Sequence, residues 1–78
     1  MNRLISSFAK NKSEDIRIEI KELKGKDILD IRVYTALEDG AEKFPTGKGL
    51  VLSPGDFPDF KKAVLDAEAV LKQERLLR

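Results

Sequence analysis

Hydrophobic and polar residues alternate most strictly near the middle of the first half of the chain. Ile16, Ile18 and Ile20 are interleaved with Arg17, Glu19 and Lys21. A period of two predicts a half-buried strand with β-branched side chains on its dry face. Lys24-Gly25-Lys26 then reads as a hairpin turn in which Gly25 takes positive φ. The alternation resumes over residues 27–36, with Leu29, Ile31 and Val33 on the dry side and Asp30, Arg32 and Tyr34 on the other. Glu38-Asp39-Gly40 marks a second turn. Short strands over residues 42–44 and 49–52 complete a meander, with Pro45 and Gly47 forming a turn or bulge between them.

The period then changes. Phe57, Phe60, Val64, Ala67 and Leu71 recur at spacings of three and four, the stripe of an amphipathic helix. Ser53 before Pro54 is one candidate start, but Pro58 would then fall where a helical hydrogen bond is expected. Asp56 as the cap, after an irregular turn, avoids the conflict. The helix is predicted over residues 57–77, about 31 Å long. That is longer than the small sheet is wide, so Val70, Leu71, Leu76 and Leu77 overhang and call for a partner helix. Residues 1–15 show weak periodicity and many turn formers. They read as a mobile arm with a short ordered piece around Leu4, Ile5 and Phe8. Residues 16–78 form the single domain.

Composition sharpens this picture. A chain of 78 residues buries only about 60% of its unfolded surface and needs a staple. The absence of Cys and His excludes disulfides, the common zinc sites and His-dependent nucleophilic catalysis. Oligomerisation remains. No cofactor is expected: Gly47-Lys48-Gly49 is too short for a phosphate-cradling loop. No run of the chain has the length of a membrane span or the character of a secretory leader, so an intracellular location is expected, in the cytoplasm or nucleoid of a prokaryote or the nucleus of a eukaryote.

The net charge is only +1, so the distribution of charge matters more than its sum. Strand parity puts Lys21, Lys26, Arg32, Leu23 and Tyr34 on the face opposite the isoleucines, with Lys24 at the hairpin tip and Lys48 between two glycines before the last strand. Basic side chains interspersed with flat apolar groups suit a single-stranded nucleic acid: the cations follow phosphates and the rings meet bases. The same pattern also fits an ordinary solvated sheet face, diluted by Glu19, Glu22, Asp27 and Asp30.

The ordered set of segments resembles the positive cofactor 4 family of transcriptional coactivators. The segment from Ile18 to Tyr34 is similar to the family's strand, Lys-Gly-Lys turn and Asp-Ile-Arg-x-Tyr strand. The segment from Phe44 to Pro54 is similar to its Pro-Gly-x-Lys-Gly-Ile-x-Leu stretch leading into a helix, where Phe57 matches an aromatic position. The resemblance implies an α+β fold: a four-stranded, strongly curved antiparallel sheet followed by one long C-terminal helix, assembled as a homodimer with paired single-strand channels. It implies nucleic-acid contacts from Lys24, Lys26, Arg32 and Lys48, and Tyr34 matches a family tyrosine. Leu23 and Thr35 stand where members carry stacking Phe and Trp, and Gly47 replaces a frequent basic residue. The expected partner is single-stranded DNA, RNA or melted duplex, together with transcription or replication machinery and no membrane. The alternative is a protein-interaction module of the same fold. An enzyme is not expected.

Overall fold

The computed structural model describes residues 1–77; Arg78, the last residue of the expected domain, lies outside them. Strands β1 (Arg3–Ala9), β2 (Glu14–Leu23), β3 (Lys26–Thr35) and β4 (Phe44–Leu52) form one sheet in chain order, each antiparallel to its neighbour. A 3-10 turn, Pro54–Asp56, leads into helix α1 (Phe57–Gln73). The expected α+β architecture is the one observed, with three changes of detail.

First, the segment read as a mobile arm is β1 for Arg3–Ala9. It pairs along β2, with Arg3 opposite Ile20 and Phe8 opposite Ile16. Its alternation is hidden because the register shifts between Leu4 and Ser6; such a bulge moves every later side chain to the other face. Of its turn formers, Asn11 and Ser13 belong to the β1–β2 connection, while Ser6 and Ser7 lie within β1. The Asn11 side chain accepts from the backbone N–H of Ser13 (3.0 Å) and Glu14 (2.9 Å), an Asx-type turn.

Second, the two short strands predicted over residues 42–44 and 49–52 are one strand. Pro45 is tolerated because β4 lies at the sheet edge, where its missing N–H costs no ladder bond. Between Pro45, opposite Tyr34, and Gly49, opposite Arg32, the strand carries extra residues and bulges.

Third, α1 stops at Gln73 and is about 26 Å long. Arg75 turns into the left-handed region (φ 59°), its N–H donates to the Lys72 carbonyl, and the Leu76 N–H donates to that of Leu71. This is a Schellman stop without its usual glycine. The start is as expected: Asp56 occupies the cap position after an irregular turn, and Pro58 falls in the first turn.

The apolar side of the sheet and the first turns of α1 face each other across an open groove of about 390 Å³, lined by Ile5, Ile18, Ile20, Leu29, Ile31, Pro54, Phe57 and Phe60. Beyond Phe60 the apolar stripe is left uncovered, with Val64 and Val70 half exposed and no residue of α1 buried. Among the described residues only Tyr34 and Asp30 are buried. The radius of gyration, 14.7 Å, exceeds the roughly 11.5 Å of a compact chain of this length.

Gly49 fixes where β4 sits. Its φ is +156°, and a Cβ there would overlap the Ile31 carbonyl oxygen and lie 2.9 Å from Arg32 Cα. Gly47 has open space around it. Gly49→Ala is therefore expected to lower stability by about 2 kcal/mol or more, and Gly47→Ala to stay within about 1 kcal/mol, as read from urea unfolding at fixed protein concentration.

Candidate functional site

The face opposite the isoleucines is built by strand parity. On β2 it carries Asp15, Arg17, Glu19, Lys21 and Leu23; on β3 it carries Lys26, Ile28, Asp30, Arg32 and Tyr34. The expected set of Lys21, Leu23, Lys26, Arg32 and Tyr34 does share this face, but its members do different things.

Asp30 is the centre. It is 2% exposed, a position a carboxylate tolerates only when fully partnered. Lys21 Nζ lies 2.8 Å from Asp30 Oδ2. Arg32 Nε and Nη2 donate to Oδ1 at 3.1 and 2.9 Å, and Arg32 Nη1 donates to the Thr46 carbonyl at 2.9 Å. Burial pushes the Asp30 carboxyl up, but the hydrogen bonds from Arg32 and Lys21 outweigh it and hold the group below the usual carboxylate range. The same contact with Asp30 raises the Lys21 ammonium. With three of its five N–H groups engaged, Arg32 keeps two donors for a ligand.

Tyr34 is internal as well. Its hydroxyl donates to Glu19 Oε1 at 2.6 Å, the Arg17 guanidinium lies 4.2 Å over its ring, and the residue is 8% exposed. The hydrogen bond to Glu19, then burial, raise its phenol above the ordinary value. The ring is thus largely covered within the chain.

Lys24, Lys26 and Lys48 form no ion pair with any described residue. Lys24 and Gly25 link paired Leu23 and Lys26 as a two-residue loop, with φ of 52° and 78°. Positive φ at both positions is what a type I′ hairpin demands, so Lys24 stands at the tip and Lys26 opens β3. Lys48 rides on the β4 bulge, whose shape is held by Thr46: its hydroxyl donates to the Val33 carbonyl at 2.8 Å and accepts from the Lys48 N–H at 3.1 Å. Leu23 lies beside Lys26 and is 54% exposed.

Sequence reasoning counted Asp30 and Glu19 as charges diluting a basic patch, whereas each anchors a partner on the next strand. It passed over Thr46 and Arg17. The signal for Asp30 was its own parity, since an acid centred between Lys21 and Arg32 on one face has cations within reach.

Comparison with known proteins closes the question of kinship. The sequence profile of the family described as Transcriptional Coactivator p15 (PC4) matches residues 10–63. The chain belongs to this family. Among solved structures it is similar to a PC4 homolog from Burkholderia pseudomallei K96243, with 24% identity, a TM-score of 0.79, and coverage of 87% of this chain and 98% of that one. A bacteriophage T5 homolog of the eukaryotic transcription coactivator PC4, implicated in recombination-dependent DNA replication, has 19% identity and a TM-score of 0.60 over 97% of this chain and 83% of that one. No curated protein matches the sequence. At these identities the solved structures speak for the fold, an open four-stranded antiparallel sheet with one C-terminal helix.

The Asp30 hub should be visible in acid. A carboxyl held below its unfolded value stabilises the fold fully above that value, about 3.9. The contribution is lost as pH falls below it and through the folded value. Asp30→Asn is expected to lose about 2–3 kcal/mol at pH 7 and to lose less additional stability than the parent between pH 5 and pH 2, measured by urea unfolding across that range.

Proposed function

We propose that this chain is a non-enzymatic single-stranded-DNA-binding protein that works as a homodimer in transcription, replication or repair. The observation that carries the reading is the set of unpaired cations. Lys24, Lys26 and Lys48 border the polar face of a PC4-family sheet without spending their charge on acids of the same chain, while the cations that lie deeper on that face, Lys21 and Arg32, are held by Asp30. From Lys26 to Arg32, beside the Lys48 bulge, β3 runs about 20 Å. An extended strand of several nucleotides lying along it would place phosphates at both ends and base faces over the exposed apolar Leu23 and Val51. Phosphate contacts of this kind position the strand without reading its sequence.

The homodimer reading is supported by the uncovered stripe of α1 and by a chain with almost nothing buried in isolation. A second copy would supply the missing core. Sedimentation equilibrium at micromolar concentration is expected to give twice the 8.8 kDa chain mass, and Leu71→Asp to dissociate and largely unfold the protein, because a charge buried without a partner costs several kcal/mol. A cooperatively folded monomer would contradict this.

For binding, fluorescence anisotropy is expected to show single strands held more tightly than duplex of equal length. Log affinity should fall against log salt with a slope of about −2 to −3, from roughly −0.7 per phosphate contact. Since Lys24, Lys26 and Lys48 form no ion pair with any described residue, replacing all three by Ala should leave stability within about 0.5 kcal/mol, weaken binding to all sequences alike and flatten the salt slope. Unchanged affinity in that variant would mean that the strand lies elsewhere.

A further inference from the structure

A single-strand interface ordinarily combines cations with flat groups on which bases stack, yet the polar face offers no free ring. The chain has five aromatic residues. Phe8 and Phe44 sit opposite Ile16 and Thr35, on the isoleucine side of the sheet. Phe57 and Phe60 line the apolar groove. Tyr34 points to the polar side but is buried, with its hydroxyl taken by Glu19. A flat group does remain there. The Arg17 guanidinium is seated 4.2 Å over the Tyr34 ring and tethered by Asp15 Oδ2 at 3.6 Å. Its cross-strand neighbours are Ser7, too small to cover it, and Arg32, whose guanidinium is turned toward Asp30 and Thr46. The side chain is 28% exposed.

We propose that Arg17 is the base-stacking platform of this face, with Tyr34 as the ring that holds its plane in place; this rests on the single-strand reading above. A guanidinium is planar and weakly hydrated, so it accepts an aromatic face on each side. Nucleic-acid bases stack on arginine planes as they do on rings. One side of Arg17 is occupied by Tyr34, and the side chain keeps 28% of its surface exposed on the polar face. The buried tyrosine thus acts indirectly: it removes the rotamer freedom that a long side chain would otherwise lose on binding.

The test separates stacking from charge. Arg17→Lys keeps the cation and removes the plane. Anisotropy titrations compare parent and variant on a fluorescently labelled oligothymidylate and on an abasic strand of equal length, which has phosphates and sugars but no bases. The variant is expected to bind the base-bearing strand about five- to tenfold more weakly, to match the parent on the abasic strand, and to keep the same salt slope. A second variant, Arg17→Gln, retains a planar amide without the charge and is expected to weaken oligothymidylate binding less than Arg17→Lys does, a larger loss counting against stacking; melting curves confirm that both variants fold. Equal losses on the two strands from a folded Arg17→Lys protein would make Arg17 a phosphate contact and overturn the proposal, as would no loss on either. A parent protein that binds neither strand overturns the single-strand reading itself, and a parent that binds the abasic strand as tightly as the base-bearing one overturns stacking alone.

Discussion

The polar side of this sheet is organised by one carboxylate that water barely reaches. Asp30 accepts from Lys21 on β2 and from Arg32 on its own strand, and Arg32 reaches onward to a carbonyl of β4. Three strands are thus joined on the face that the hydrophobic effect does not hold together. The cost of desolvating the acid is met only while both cations stay in place, so their side chains are fixed, and with them the floor on which a ligand would lie. The glycine that lets β4 come close, Gly49, faces Arg32 directly, which makes backbone approach and charge network parts of one arrangement.

The other side of the sheet obeys a different constraint. Ile18, Ile20, Leu29 and Ile31 present an apolar surface, which Phe57 and Phe60 of α1 face across an open groove. A chain this short buries a smaller share of its unfolded surface than a larger domain does, so little is left to offset the entropy of ordering. The two faces thus differ in chemistry: isoleucines and the helix stripe on one side, the Asp30 network and the unpaired lysines on the other.

How much of this could be read beforehand depended on the kind of signal. The central strands were legible because half-burial enforces period two, and Ile16, Ile18 and Ile20, then Leu29, Ile31 and Val33, obey it. Parity alone also placed Lys21, Leu23, Lys26, Arg32 and Tyr34 on one face. β1 was illegible because its bulge at Leu4–Ser6 breaks the period in a strand only seven residues long. The helix end was missed because its left-handed residue is Arg75, where glycine would have announced the stop. Parity says which face a side chain joins and nothing about its partner. That Asp30 would sink between two cations, or that Tyr34 would be sealed under Arg17, depends on cross-strand register and rotamers, which no local pattern encodes.

The hairpin tip has a consequence for how such a protein can change over generations. Lys24 and Lys26 lie on a turn whose geometry is set by backbone torsions and by Gly25, and neither lysine supports another side chain. Their charge is therefore adjustable almost independently of folding. Lineages can change the charge of this surface at these positions without passing through unstable intermediates, whereas any change at Lys21 or Arg32 must first contend with Asp30. The surface is in this sense modular: an evolvable rim set on an inflexible floor.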